Sequence, residues 1–148
     1  MIDYAFRDRS PTPKHFWVVS VLALLWSAVG ALDYTATKLQ VDSYMGQFSP
    51  RQLDYFYGFP GWMVVAWACS VWGSLAGSVM LLLRRSWALP LFGLSLIGLF
   101  VGGVYTFLMS DGASIMGTGG TMFTVVIWVV TIGLYYYARR MVKRRVLI

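Results

Sequence analysis

Charge is absent from four long stretches of this chain, and that absence limits the folds open to it. His15–Leu32 runs 18 residues, Tyr55–Leu83 runs 29, Ser86–Ser110 runs 25 and Gly112–Ala138 runs 27 without an Asp, Glu, Lys or Arg. A helix rising about 1.5 Å per residue needs roughly 20 residues to cross a hydrocarbon core of roughly 30 Å. Lipid offers no partner for backbone N–H and C=O groups, so a spanning segment must satisfy them internally, as a helix does. The sequence therefore predicts membrane helices near 16–34, 61–83, 87–109 and 122–137, with a basic tail over 138–148. The first run has a basic leader and small residues (Ala28, Val29, Gly30) near its end, as a signal peptide does. It is read as the first helix.

Composition agrees. Of the 148 residues, 58% are hydrophobic and only 12% are charged, against about a quarter charged in soluble domains. That is too little charge to coat a soluble globule and too much apolar surface for a disordered chain. The length suits a single domain. The one cysteine, Cys69, leaves no intrachain disulfide and no thiol pair for redox work.

The twelve basic residues are distributed unevenly. Arg7, Arg9 and Lys14 precede helix one, Arg84 and Arg85 form the turn between helices two and three, and Arg139, Arg140, Lys143, Arg144 and Arg145 follow helix four. The opposite side holds only Lys38 and Arg51. The positive-inside rule places both termini and the Arg84–Arg85 turn in the cytoplasm. The split pattern is unlike a phosphate-tracking stripe, so nucleic acid is not an expected partner. Arg84, Arg85 and the basic residues of the tail are candidates for lipid headgroup contact, as is His15.

The connections add detail. A two-residue turn at Arg84–Arg85 makes helices two and three antiparallel neighbours. The link Asp111–Gly120 is Gly-rich and reads as flexible. In the long outer loop, Ser49-Pro-Arg-Gln52 is a capping box with Pro at the first helical position. A short helix bearing Leu53, Tyr55, Phe56 and Tyr57 should follow and lie in the membrane interface.

Membrane helices associate through close approach and hydrogen bonds. Gly73 and Gly77 on helix two, and Gly98 and Gly102 on helix three, mark packing seams within one chain or between protomers. On helix four, Thr121, Thr124, Trp128, Thr131 and Tyr135 recur at steps of three and four and line one stripe. Trp26, Gly30, Asp33, Tyr34 and Thr37 gather on one side of helix one. If the two stripes face each other, Asp33, Tyr34, Trp26, Thr124 and Trp128 form a polar, aromatic pocket open to the outer face. The competing reading is helix–helix glue from the hydroxyls, with Trp and Tyr as an interfacial belt.

No HExxH, CxxC, GxSxG or phosphate-loop motif occurs, so no enzyme, metal site or cofactor is expected. The neutral runs carry no Lys, Arg or Glu at mid-membrane, where ion-coupled transporters need an ionisable group.

The stretches Trp26-Ser-Ala-Val-Gly-Ala-Leu-Asp-Tyr34, Tyr44–Trp62 and Val71–Pro90 resemble a group of small bacterial four-helix inner-membrane proteins commonly labelled "sugar transporter". The layout is more distantly similar to DoxX-like proteins. The resemblance covers roughly the first two-thirds of the chain and carries no catalytic motif. It implies an all-α, antiparallel four-helix bundle in a bacterial inner membrane, with Asp33, Tyr34 and the aromatic loop as natural ligand contacts. Two functions remain. One is a non-catalytic protein that binds or passively passes a small neutral polar solute, as an oligomer. The other is an accessory subunit packed against a larger membrane complex.

Overall fold

The computed structural model describes residues 10–148. Arg7 and Arg9, counted above for the cytoplasmic side, lie outside them. The described residues are helix and connecting turn: α1 Lys14–Lys38, α2 Asp42–Met45, α3 Pro50–Tyr57, α4 Gly61–Leu82, α5 Ala88–Val104 and α6 Gly112–Lys143. A π-helical turn, Tyr105–Met109, continues α5. Four helices are long and apolar enough to cross a membrane: α1, α4, α5 with its π-turn, and α6.

Helix ends follow local chemistry. Pro13 and Pro60 stand just before α1 and α4, where a missing N–H costs nothing. The capping box of α3 forms as expected: Gln52 N–H donates to Ser49 Oγ at 3.3 Å, and Ser49 N–H donates to Gln52 Oε1 at 3.0 Å. Three helices end in Schellman motifs. After α4, Arg84 N–H donates to Leu81 O and Arg85 N–H to Met80 O. The same pair of bonds closes α1 at Gln40 and Val41, and α6 at Arg145 and Val146. Each motif needs a left-handed residue, usually Gly. Here Gln40, Arg84 and Arg145 occupy it, at φ 52, 57 and 56°.

The Asp111–Gly120 link departs from expectation. It is helical from Gly112 onward, broken only at Gly117, where φ is 72°. Its backbone is drawn in by contact. Gly112 is buried against Tyr55, where a side chain would collide with the phenol oxygen, and Gln52 Nε2 donates to Ile115 O at 3.4 Å.

Both glycine pairs close the seam between α4 and α5 inside one chain. A methyl group on Gly73 would stand 3.1 Å from Leu91 O, and one on Gly98 would stand 2.7 Å from Ser70 N. Gly77 receives the Phe92 ring, and Gly102 lies against Met63. This close approach lets Ser95 Oγ donate to Ser70 O at 2.7 Å. Between α1 and α4, Ser27 Oγ bonds Ser74 Oγ at 2.8 Å and Ser78 Oγ at 3.0 Å. Such hydroxyl bonds are worth roughly 0.6 kcal/mol each between membrane helices. α6 meets α5 through Trp128 beside Gly103 and Tyr135 beside Gly93.

The main core gathers at one end of the helices. Phe16, Leu81, Ala88, Phe92, Ala138 and Met141 are buried there together with Val146 and Leu147. The C-terminal segment is therefore not a free basic tail, because its two apolar residues plug the core. Ser86 N–H donates to Ile148 O, Ile148 N–H to Arg84 O, and Ser10 N–H to Arg145 O. Arg84 ties the same three segments together: Nε donates to Val146 O and Nη2 to Ser10 O, each at 3.1 Å. Arg84, expected at lipid headgroups, thus has its guanidinium engaged on backbone carbonyls. Arg85, Arg139, Arg140, Lys143 and Arg144 are exposed.

Candidate functional site

The five residues expected to line one pocket are placed in separate surroundings. Asp33 accepts a hydrogen bond from the Tyr44 hydroxyl through Oδ1. Tyr34, on the next position of α1, turns to α4, with its ring edge-on to Trp67 at 4.8 Å and to Trp72 at 6.2 Å. Trp26 faces α6, where its ring centroid lies 6.1 Å from that of Phe123. Thr124 Oγ1 donates to Gly120 O of its own helix at 2.9 Å, and Trp128 packs against α5 at Gly103. Thr121 and Thr131 likewise bond carbonyls one turn back. The hydroxyl stripe of α6 is thus satisfied by its own backbone. Asp33 and Tyr34 share a helix end, but α1 and α6 do not bring all five together.

At the Asp33 end the structure builds an aromatic cap instead. α2, α3 and the loop around them fold over the helix ends. Ring contacts run from Tyr44 to Phe48, Phe56 and Phe59, then to Trp67 and Tyr34. Tyr105, in the π-turn, stands edge-on to Phe59 at 5.7 Å and to Trp62 at 5.5 Å. Tyr55 OH and Ser110 Oγ share a hydrogen bond at 3.0 Å, which fastens α3 to the end of the π-turn. Each edge-to-face pair contributes about 0.5–1.5 kcal/mol beyond its burial, so the cap is a firm closure.

Tyr44 is its latch. Burial, then the hydrogen bond to Asp33, then the charge of that carboxylate push its phenol up from 10.0 to about 12. The phenol remains a donor and the carboxylate an acceptor across the physiological range. The sequence gave no sign of this partner. Tyr44 lies eleven positions from Asp33 and outside any periodic run.

The principal cavity lies elsewhere. A groove of about 530 Å³ separates α1 from α6, lined by Val19, Ala23, Trp26 and Val29 on one side and Val130 and Leu134 on the other. Its walls are apolar and it opens sideways. One end is closed where His15 Nδ1 and Tyr137 OH bond at 2.9 Å and the Phe16 and Tyr137 rings stack.

Among the described residues no group of three or more His, Cys, Asp or Glu could hold a metal. No protein-family model, curated protein or solved structure matches the chain.

The structure also leaves a second stripe of α6 uncovered. Met122, Val125, Val129, Ile132 and Tyr136 are all exposed, Met122 and Val129 by 65% each. Their spacing of three, four, three and four is the heptad pattern of a helix that meets another helix. None of the residues 113–130 is fully buried.

Proposed function

We propose that the protein is a non-catalytic, multi-pass membrane protein that works as an accessory subunit, docking a partner helix on the exposed stripe of α6. The observation that carries this reading is the heptad row Met122, Val125, Val129, Ile132 and Tyr136 on a spanning helix with no covering element. The bundle itself is read as antiparallel. Contacts between α4 and α5 descend one helix as they climb the other: Met63 with Gly102, Ser70 with Gly98, Leu91 with Gly73. Ser10, Arg84 and Val146 meet at one end, and the basic residues crowd there. This supports an orientation with both termini in the cytoplasm, in keeping with a bacterial inner membrane.

The solute reading, suggested by the resemblance to "sugar transporter" proteins, has less support. It needs a polar path inward from Asp33. The hydroxyls that would line such a path are bonded to their own helices or across the α1–α4 seam, and the cavity present is apolar.

The test is purification in mild detergent from native membranes, read by native mass spectrometry. The expected result is a second membrane protein retained at fixed stoichiometry. Val125→Trp with Val129→Trp should remove it without lowering the melting temperature. A lone chain that passes sugars across liposomes would overturn the accessory reading.

A further inference from the structure

We infer that the groove between α1 and α6 is a binding site for one anionic phospholipid, which lays an acyl chain along the groove and sets its headgroup against Lys14, His15 and Arg140. The walls exclude a polar ligand, since the lining residues are apolar along its whole length. The dimensions exclude a helix. From Val19 to Val29 the groove extends about 15 Å at about 1.5 Å per residue. A volume of about 530 Å³ spread over that length leaves a width of about 7 Å, whereas a helix with side chains is about 10–12 Å across. A polymethylene chain, whose carbons sit about 4 Å from their neighbours, fits.

The charge at the mouth selects the headgroup. Lys14 lies five residues below Val19 on α1, and Arg140 lies six below Leu134 on α6, about 8–9 Å of helix rise in each case. The His15–Tyr137 bond fixes the two at the same level. Arg140 follows Gly133 by two turns on the same flank of α6, and Gly133 has open space where a side chain would be. Lys14, His15 and Arg140 are exposed, and among the described residues no carboxylate pairs with them. The four described aspartates, Asp33, Asp42, Asp54 and Asp111, precede or follow the opposite ends of the spanning helices. A phosphate with a net negative headgroup would meet the cations where the groove reaches the interface.

The test uses the full chain in nanodiscs with equal parts dioleoyl phosphatidylglycerol and dioleoyl phosphatidylcholine, followed by native mass spectrometry after detergent stripping. One retained phosphatidylglycerol is expected, favoured about tenfold over phosphatidylcholine. Lys14→Gln with Arg140→Gln should bring that preference close to one. Val130→Trp, which fills the groove, should lose the lipid. Should Val130→Trp fail to fold, the unmodified chain still decides: a phosphatidylglycerol with a diazirine on its acyl chain should label Val19, Trp26 and Leu134 above exposed Val65. Equal labelling of Val65, equal retention of both lipids, or a dimer that Val130→Trp splits would each overturn the inference. The last outcome would assign the groove to a second copy.

Discussion

Gly98 and Ser70 face each other across the α4–α5 seam with no room for a side chain between them. A methyl group on Gly98 would lie 2.7 Å from the Ser70 nitrogen, and the obstacle is backbone, which cannot swing aside. Gly98→Ala should therefore destabilise the bundle by about 1–3 kcal/mol, and Gly98→Leu by more. Unfolding in mixed detergent measures both. Gly30→Ala, at a glycine with nothing within 4 Å, is the control and should change little.

The latch between Tyr44 and Asp33 has a defined pH signature. Folding raises the phenol from 10.0 to about 12, so the folded state favours the neutral, donating form. Its contribution is fully present below about pH 10 and is lost as pH rises through about 12. ¹³C NMR of ring-labelled tyrosine should show one resonance titrating late, and Asp33→Asn should move it toward 10. A double-mutant cycle with Tyr44→Phe should give about 1.5–3 kcal/mol of coupling.

Arg84 holds the C-terminal segment through two carbonyls, Val146 O and Ser10 O. Arg84→Ala removes both donors, a loss of about 1–3 kcal/mol, which falls on the local closure. Trypsin cleavage after Arg144 should accelerate about tenfold or more, while the α4–α5 seam stays intact. Arg84→Lys should rescue only part, because an ammonium cannot span both carbonyls as a planar fork does.

Gln40 ends α1 at φ 52°, in a conformation that costs a side-chain-bearing residue about 1 kcal/mol or more. It is exposed. Gln40→Gly should raise the melting temperature, the reverse of the usual effect of glycine. A lower value would show that the Gln40 side chain makes a contact worth more than the strain.

The spans were legible because charge and hydropathy are properties of a segment alone. The α3 capping box was legible for the same reason, since Ser49 and Gln52 are three residues apart. What a face meets is a different kind of fact. Periodicity placed Trp26 and Tyr34 on α1 stripes, yet one turned to Phe123 of α6 and the other to Trp67 of α4. Thr124 and Thr131 looked like pocket lining, but a helical Thr can bond the carbonyl one turn back, and these do. The Gly-rich link read as flexible because glycine lowers helix propensity. Packing beneath Tyr55 overrode that preference at Gly112. Val146 and Leu147 were visible as apolar residues, but nothing local told that they would enter the core.

The Arg84 fork bears on how the chain is made. Its acceptor on Val146 lies 62 positions downstream, beyond the whole of the fourth crossing. During synthesis the first three helices must therefore wait in the bilayer with Phe16 and Phe92 still unsealed. Translation stalled within α6 would leave such an intermediate open to membrane proteases, so degradation fragments should accumulate upstream of residue 146 rather than be spread evenly along the polypeptide.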